Sequence, residues 1–297
     1  MLWLALLLAS DYADLFNRGL AAYQAKRDAE AEPLLAEAAG LKPGEFQSQF
    51  LLGAARSRLG RTDDALAAWR KAEALQPKNA RLLQVMAVEY SRGRYFQEAA
   101  RTAERALGLN TEDRNLYFLA IKSYQDAGDT AAAGTLAQQA VTRFPQSGRA
   151  HFEHGFHLQK QGRLDDALKH LEKAMELEPR YEEPPFFYGD LLVRQSKNAE
   201  AIPYLRKALE IRPDYVPARV LLGRALMNLQ QWPDALAELE TAIRMSPDHP
   251  QPHLLMSQIY FRLGDEEKAR HEKETSLRLR RESPALLEAV QGRAFGR

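Results

Sequence analysis

The chain has 297 residues, no cysteine, and 41 Lys+Arg against 40 Asp+Glu, for a formal charge of +1. The even charge excludes a general polyanion or nucleic-acid binder. The missing cysteine excludes disulfides, thiolate zinc sites and cysteine nucleophiles, and fits reducing and oxidising compartments alike.

The first element is an apolar N-terminal extension, residues 1–11, in which Leu2 to Leu8 run without a polar break. It is far short of the ~20 residues a membrane-spanning helix needs, and no other stretch is a transmembrane candidate. Its length matches a signal-peptide core followed by the small residues Ala9 and Ser10, but a basic leader is missing. Two readings stay open: a short export signal or tether, or an extension packed on the first repeat unit. The compartment stays open with them, exported or periplasmic on the first and cytoplasmic on the second.

From Tyr12 onward the chain repeats itself. Arg163 to Pro179 reads RLDDALKHLEKAMELEP, and Lys197 to Pro213, a period of 34 residues later, reads KNAEAIPYLRKALEIRP. Eight units run on without insertion: 12–45, 46–79, 80–113, 114–147, 148–181, 182–215, 216–249 and 250–283. Such a period is the mark of a stacked array, so length adds units rather than globular domains. The twentieth position is alanine throughout (Ala31, Ala65, Ala99, Ala133, Ala167, Ala201, Ala235, Ala269). The eighth is small except at Ile121, and large residues such as Leu35, Trp69 and Leu171 hold the twenty-fourth. These spacings describe two amphipathic helices per unit, the small residues letting their axes approach closely. Gly60, Gly93, Gly128, Gly162 and Gly264 mark the turn between helices, where a positive φ ends the first one.

Three places depart from the pattern. Thr111, Ile121 and the Ala131–Gly134 run mark the junction of units 3 and 4 as a soft joint or as ordinary drift between repeats. Pro203 falls in the first turns of its helix, where no break is expected. Unit 250–283 has a heavily charged second helix with Lys273 and Ser276 at packing positions, the polar outer face of a C-terminal cap. Residues 284–297 read as a short helical tail.

The 34-residue period, with small residues at 8, alanine at 20 and 27 and proline at 32, resembles the tetratricopeptide repeat family across 12–283. The resemblance implies an all-α, right-handed superhelical solenoid of helix–turn–helix repeats. It further implies a non-catalytic scaffold or adaptor that holds a segment of a partner protein in a concave groove. The inward positions of the family are 2, 5, 9, 12 and 13 of each unit. Here the fifth is phenylalanine at Phe16, Phe50, Phe118, Phe152 and Phe186. Basic residues at the inward positions are Arg58, Arg81, Arg92, Lys122, Arg149, Lys160, Arg194, Arg224 and Arg262, against Asp126, Glu183 and Asp190.

Rings framed by guanidinium groups suit an extended segment with apolar side chains and carboxylates. The partner-binding candidates are Phe118, Lys122, Arg149, Phe152, Phe156, Phe186, Arg194, Arg58, Arg92 and Arg224. The competing reading of each Phe is packing between neighbouring first helices. Members that clamp a chaperone's C-terminal carboxylate need Lys and Asn where this chain has Phe16, Leu20, Leu51, Arg81 and Val85, so that activity is not expected. His151, His154 and His157 share one helix, and a metal- or ligand-responsive protein is one alternative function. An exported accessory subunit of a secretion, pilus or polysaccharide assembly is the other. No catalytic residue, cofactor or metal ligand is assigned. The expected partner is a protein or peptide, and the oligomeric state is open.

Overall fold

The computed structural model describes residues 2–109 and 112–282, with the side chains of residues 2–10 outside the description. Among the described residues there are sixteen α-helices and no strand. Contacts divide the chain into two compact units, 1–137 and 138–297.

The first unit holds α1 (Leu2–Gln24), α2 (Asp28–Leu41), α3 (Phe46–Arg58), α4 (Thr62–Leu75), α5 (Ala80–Arg92), α6 (Phe96–Leu107), α7 (Arg114–Asp126) and the start of α8 (Thr130–Arg143). The second holds the end of α8, then α9 (Gly148–Lys160), α10 (Leu164–Leu177), α11 (Glu183–Arg194) and α12 (Asn198–Ile211). It continues through α13 (Val216–Asn228), α14 (Trp232–Met245), α15 (Pro250–Arg262) and α16 (Glu266–Glu282). From α1 to α7 and from α9 to α16 each helix packs on the next, and first helices of successive pairs touch, as α1 does α3 and α9 does α11. This is the all-α repeat solenoid that the periodicity implies.

The turn inside each pair is built one way eight times. Its fifteenth position is left-handed at Lys26, Gly60, Arg94, Gly128, Gly162, Ser196, Gln230 and Gly264, with φ from 59° to 81°. Glycine adopts this φ without strain, and the other four residues do so at a cost. The expectation for Gly93 is corrected: its φ is −75° and Arg94, one residue on, takes the left-handed place at 63°. Glycine there stands one position early in the unit, so the turn geometry, not the glycine, keeps the register.

Close approach of the paired helices rests on a size exchange between positions 8 and 24. A methyl placed on Gly53 would come within 2.3 Å of Trp69 Nε1, and one on Gly189 within 2.7 Å of a Leu205 methyl. In the fourth repeat the sizes are reversed: Ile121 holds position 8 and Ala137 position 24, both fully buried. Ile121 is therefore a compensated exchange rather than a packing defect. Thr111 lies outside the described residues.

The Leu2–Ser10 run is helical and continuous with α1, which no linker separates from the first repeat. No described helix is long and apolar enough to cross a membrane. Pro203 lies inside an unbroken α12, as expected. In α16 Ala269, Ser276 and Leu279 are buried while the charged residues face water, and Ser276 Oγ donates to the Pro250 carbonyl at 2.8 Å. The expected tail, 284–297, lies outside the described residues.

Candidate protein-interaction faces

In the first unit, α1, α3 and α5 enclose a cavity of about 380 Å³ lined by Phe16, Leu20, Phe46, Phe50, Leu51 and Arg81 together with Gln47 and Asn79. Phe46 stacks on Phe50 at 5.6 Å, and the Arg81 guanidinium lies 5.9 Å from the Phe50 ring centre. The residues standing where a chaperone clamp would be polar thus line an apolar recess instead. Val88, also on α5, leaves 46% of its surface in water.

The basic candidates of this unit are already engaged. Arg58 lies over Tyr23 at 3.8 Å and pairs with Asp28 at 3.2 Å. Lys122 pairs with Asp126 at 2.7 Å. Arg92 donates to Glu89 at 2.8 Å, and the same buried carboxylate accepts from Ser57 Oγ and Thr62 Oγ1. Glu89 and, in the second unit, Glu153 sit outside the inward positions assigned from the sequence, yet each meets an inward arginine. The apparent basic excess is smaller than the sequence pattern implies. Phe118 is 4% exposed and belongs to the core, which corrects its assignment as a contact residue.

In the second unit Phe152 is likewise buried, edge-on to Tyr181 at 5.2 Å. A fifth-position ring can join the core instead of facing out, as Phe152 does in the cluster with Leu158, Leu171 and Leu191. Phe156 and Phe186 remain half-buried. They are joined by Phe187, which lies 5.3 Å from Phe156 and 5.1 Å from Phe186, both edge-on. Sequence reasoning missed Phe187 because it occupies position 6, outside the assumed inward set. It also missed Phe261, at position 12 of the last unit, which is 69% exposed.

Polar groups border these rings. Lys160 Nζ lies 4.7 Å above Phe156. Arg194 Nε donates to Asp190 at 2.8 Å, and Gln159 Nε2 donates to the same carboxylate at 3.3 Å. The Oε1 of Gln159 is buried without a hydrogen-bond partner among the described residues. Arg224, half-buried on α13, has no ion-pair partner among the described residues. Burial pulls its guanidinium below the ordinary range, the nearby Asp190 charge opposes this, and Arg194 adds to it. Arg149 lies 3.9 Å from Glu153, and its backbone N–H donates to Glu178.

The histidines regroup. His151 and His154 on α9 meet His170 of α10, with ring centres 5.1 and 4.6 Å from it. His157 turns away and is buried beside Phe156. Burial lowers its pKa to about 4, with Lys160 and His154 adding to the effect. Among the described residues no three His, Asp or Glu side chains are arranged to hold a metal ion.

Two tetratricopeptide repeat models match the sequence, one over 118–174 and 152–216, the other over 192–259 and 229–291. Together they run from residue 118 to 291, more than half of the chain. No curated protein sequence matches. Among solved structures, YrrB is 22% identical over 62% of this chain and 95% of its own, with a TM-score of 0.52. MamA from Desulfovibrio magneticus RS-1, from residue 41 to its end, is 18% identical over 58% of this chain and 97% of its own, with a TM-score of 0.52. A further MamA structure is 20% identical over 58% and 94%, at 0.51. At these identities the likeness is one of fold. That fold generally serves as protein-interaction scaffolding. Period, helix pairs, turn geometry and family models agree, and the chain belongs to the tetratricopeptide repeat family.

Proposed function

We propose that the protein is a non-catalytic adaptor, and that the α9–α11–α13 face of its second unit binds an extended partner segment bearing an aromatic or aliphatic side chain next to a carboxylate. The observation that carries this reading is Arg224, a half-buried guanidinium that makes no ion pair among the described residues and whose nearby acid, Asp190, is already held by Arg194 and Gln159, in the same face as the Phe156–Phe187–Phe186 rings. Desolvation of this half-buried cation, which the Asp190 charge offsets only in part, costs free energy that an incoming carboxylate recovers through charge-assisted hydrogen bonds. The unpaired Gln159 Oε1 offers an acceptor to a backbone N–H of the same segment. The rings supply the apolar contact that dominates interface energetics. YrrB, which shares the fold, is described as a repeat protein with an unusual peptide-binding site.

The test is selection from a displayed random-peptide library with the full chain, followed by affinity measurement on Phe156→Ala and Arg224→Gln. Selected peptides should carry an apolar residue beside Asp, Glu or a C-terminus, and each variant should weaken them about tenfold or more, the scale of one interface anchor. Peptides without acidic groups, or equal binding by both variants, would remove the proposal.

A further inference from the structure

His151 occupies a position that elsewhere carries an ion pair. Two periods on, Arg219 Nη1 donates to Glu238 at 2.8 Å and Nη2 donates to the Pro213 carbonyl at 3.0 Å. One period further, His253 meets Glu272 at 2.6 Å. At the same register His151 Nε2 reaches the Pro145 carbonyl at 3.1 Å and its Nδ1 reaches His170 Nδ1 at 3.0 Å. One device is thus built three times, joining the second helix of a pair to the first, and in two of these to the carbonyl preceding the pair. Only between α9 and α10 are both side chains imidazoles.

The hydrogen bonds assign the protons. A carbonyl can only accept, so His151 Nε2 carries hydrogen and donates to Pro145. In the neutral ring Nδ1 then accepts, and His170 Nδ1–H must donate to it. A first proton can enter at His170 Nε2 and leave both bonds intact. A second proton, placed on His151 Nδ1 while His170 is charged, sets two N–H groups against each other, and a charge on His154 lies against a charged His170. The other charged groups acting on the cluster are Arg163 and Asp166. Asp166 is held by Arg163 at 2.7 Å and Lys169 at 3.5 Å.

We propose that His151, His154 and His170 form a proton-operated latch between α9 and α10, closed while the cluster holds at most one proton and opened by the second. Opening parts His151 from His170 and loosens the contact between α9 and α10. Burial holds His154 and His170 below the ordinary imidazole range, so the latch stays closed at neutral pH and yields as the medium becomes acidic.

The test is thermal melting of the full chain at pH 7.5 and 4.0, comparing wild type with His151→Arg/His170→Glu, which installs the Arg219–Glu238 pair. The wild type should lose about 5 °C more than the variant on acidification, the shift expected from one to two pH-sensitive contacts in a unit of this size. The loss shared by both reports other groups, His157 among them. His170→Gln, whose amide can donate to His151 but cannot take a proton, gives a second reading should the double variant not fold. Equal acid losses in wild type and whichever variant folds would overturn the latch.

Discussion

Gly53→Ala is the sharpest test of how the helix pairs are held together. Alanine is the better helix former by ~1 kcal/mol, so propensity alone forecasts stabilisation in the middle of α3. The new methyl, however, would lie 2.3 Å from Trp69 Nε1 and 2.4 Å from Cδ1. Trp69 is only 3% exposed, and its Nε1–H donates to the Phe50 carbonyl at 3.0 Å. Displacing a packed indole costs roughly 1–3 kcal/mol, and orphaning its buried donor costs roughly another 1–3 kcal/mol. The net is a loss of about 3 kcal/mol once the propensity gain is subtracted. Gly40, near the end of α2, has nothing within 4 Å of an added methyl, so the same substitution there should gain about 0.5 kcal/mol. Urea unfolding monitored by circular dichroism should place Gly53→Ala below wild type and Gly40→Ala slightly above it. Hydrogen exchange across α3 and α4 would localise the loss, because a repeat array need not unfold in one step. A Gly53→Ala protein as stable as wild type would refute the idea that the eighth position must be small because of what faces it.

Other outcomes rest on single features. Arg94→Gly and Gln230→Gly, at φ 63° and 60°, should each stabilise the protein by about 1 kcal/mol, and Gly162→Ala should cost about as much, measured by denaturant midpoint. Glu89→Ala leaves Ser57 and Thr62 hydroxyls without their acceptor and should cost about 2 kcal/mol, while Arg92, largely exposed, rehydrates. His157 is neutral when folded, its pKa lowered to about 4, whereas the unfolded chain takes up that proton near 6.5. Its contribution is therefore complete above pH 6.5 and declines as pH falls towards 4, by roughly 3 kcal/mol in all. His157→Leu should flatten that part of a stability–pH curve, and an unchanged slope would show that the imidazole is not buried in solution.

The 34-residue period determined the repeat family, the boundaries of the helix pairs and the burial of the position-20 alanines, because each depends on spacing along one chain. Stacking makes every unit solve the same packing problem, so eight in-phase copies state the solution repeatedly. The tertiary structure decided what spacing cannot: which side of a ring faces water and which charge meets which. Phe118 and Phe152 share a register with Phe186, yet their neighbours close over them and leave Phe186 half open. Arg58 and Arg92 stood out in the sequence because their acidic partners, Asp28 and Glu89, lie outside the inward positions, on an adjacent helix and an adjacent turn. Phe187 entered the candidate face from a position the pattern did not count, and only the packed side chains leave Arg224 without an ion pair among the described residues. His170 joined His151 and His154 from another helix, where only folding brings imidazoles within hydrogen-bond reach. A periodic pattern encodes the backbone, whereas a site depends on side chains from separate helices that only the packed structure brings together.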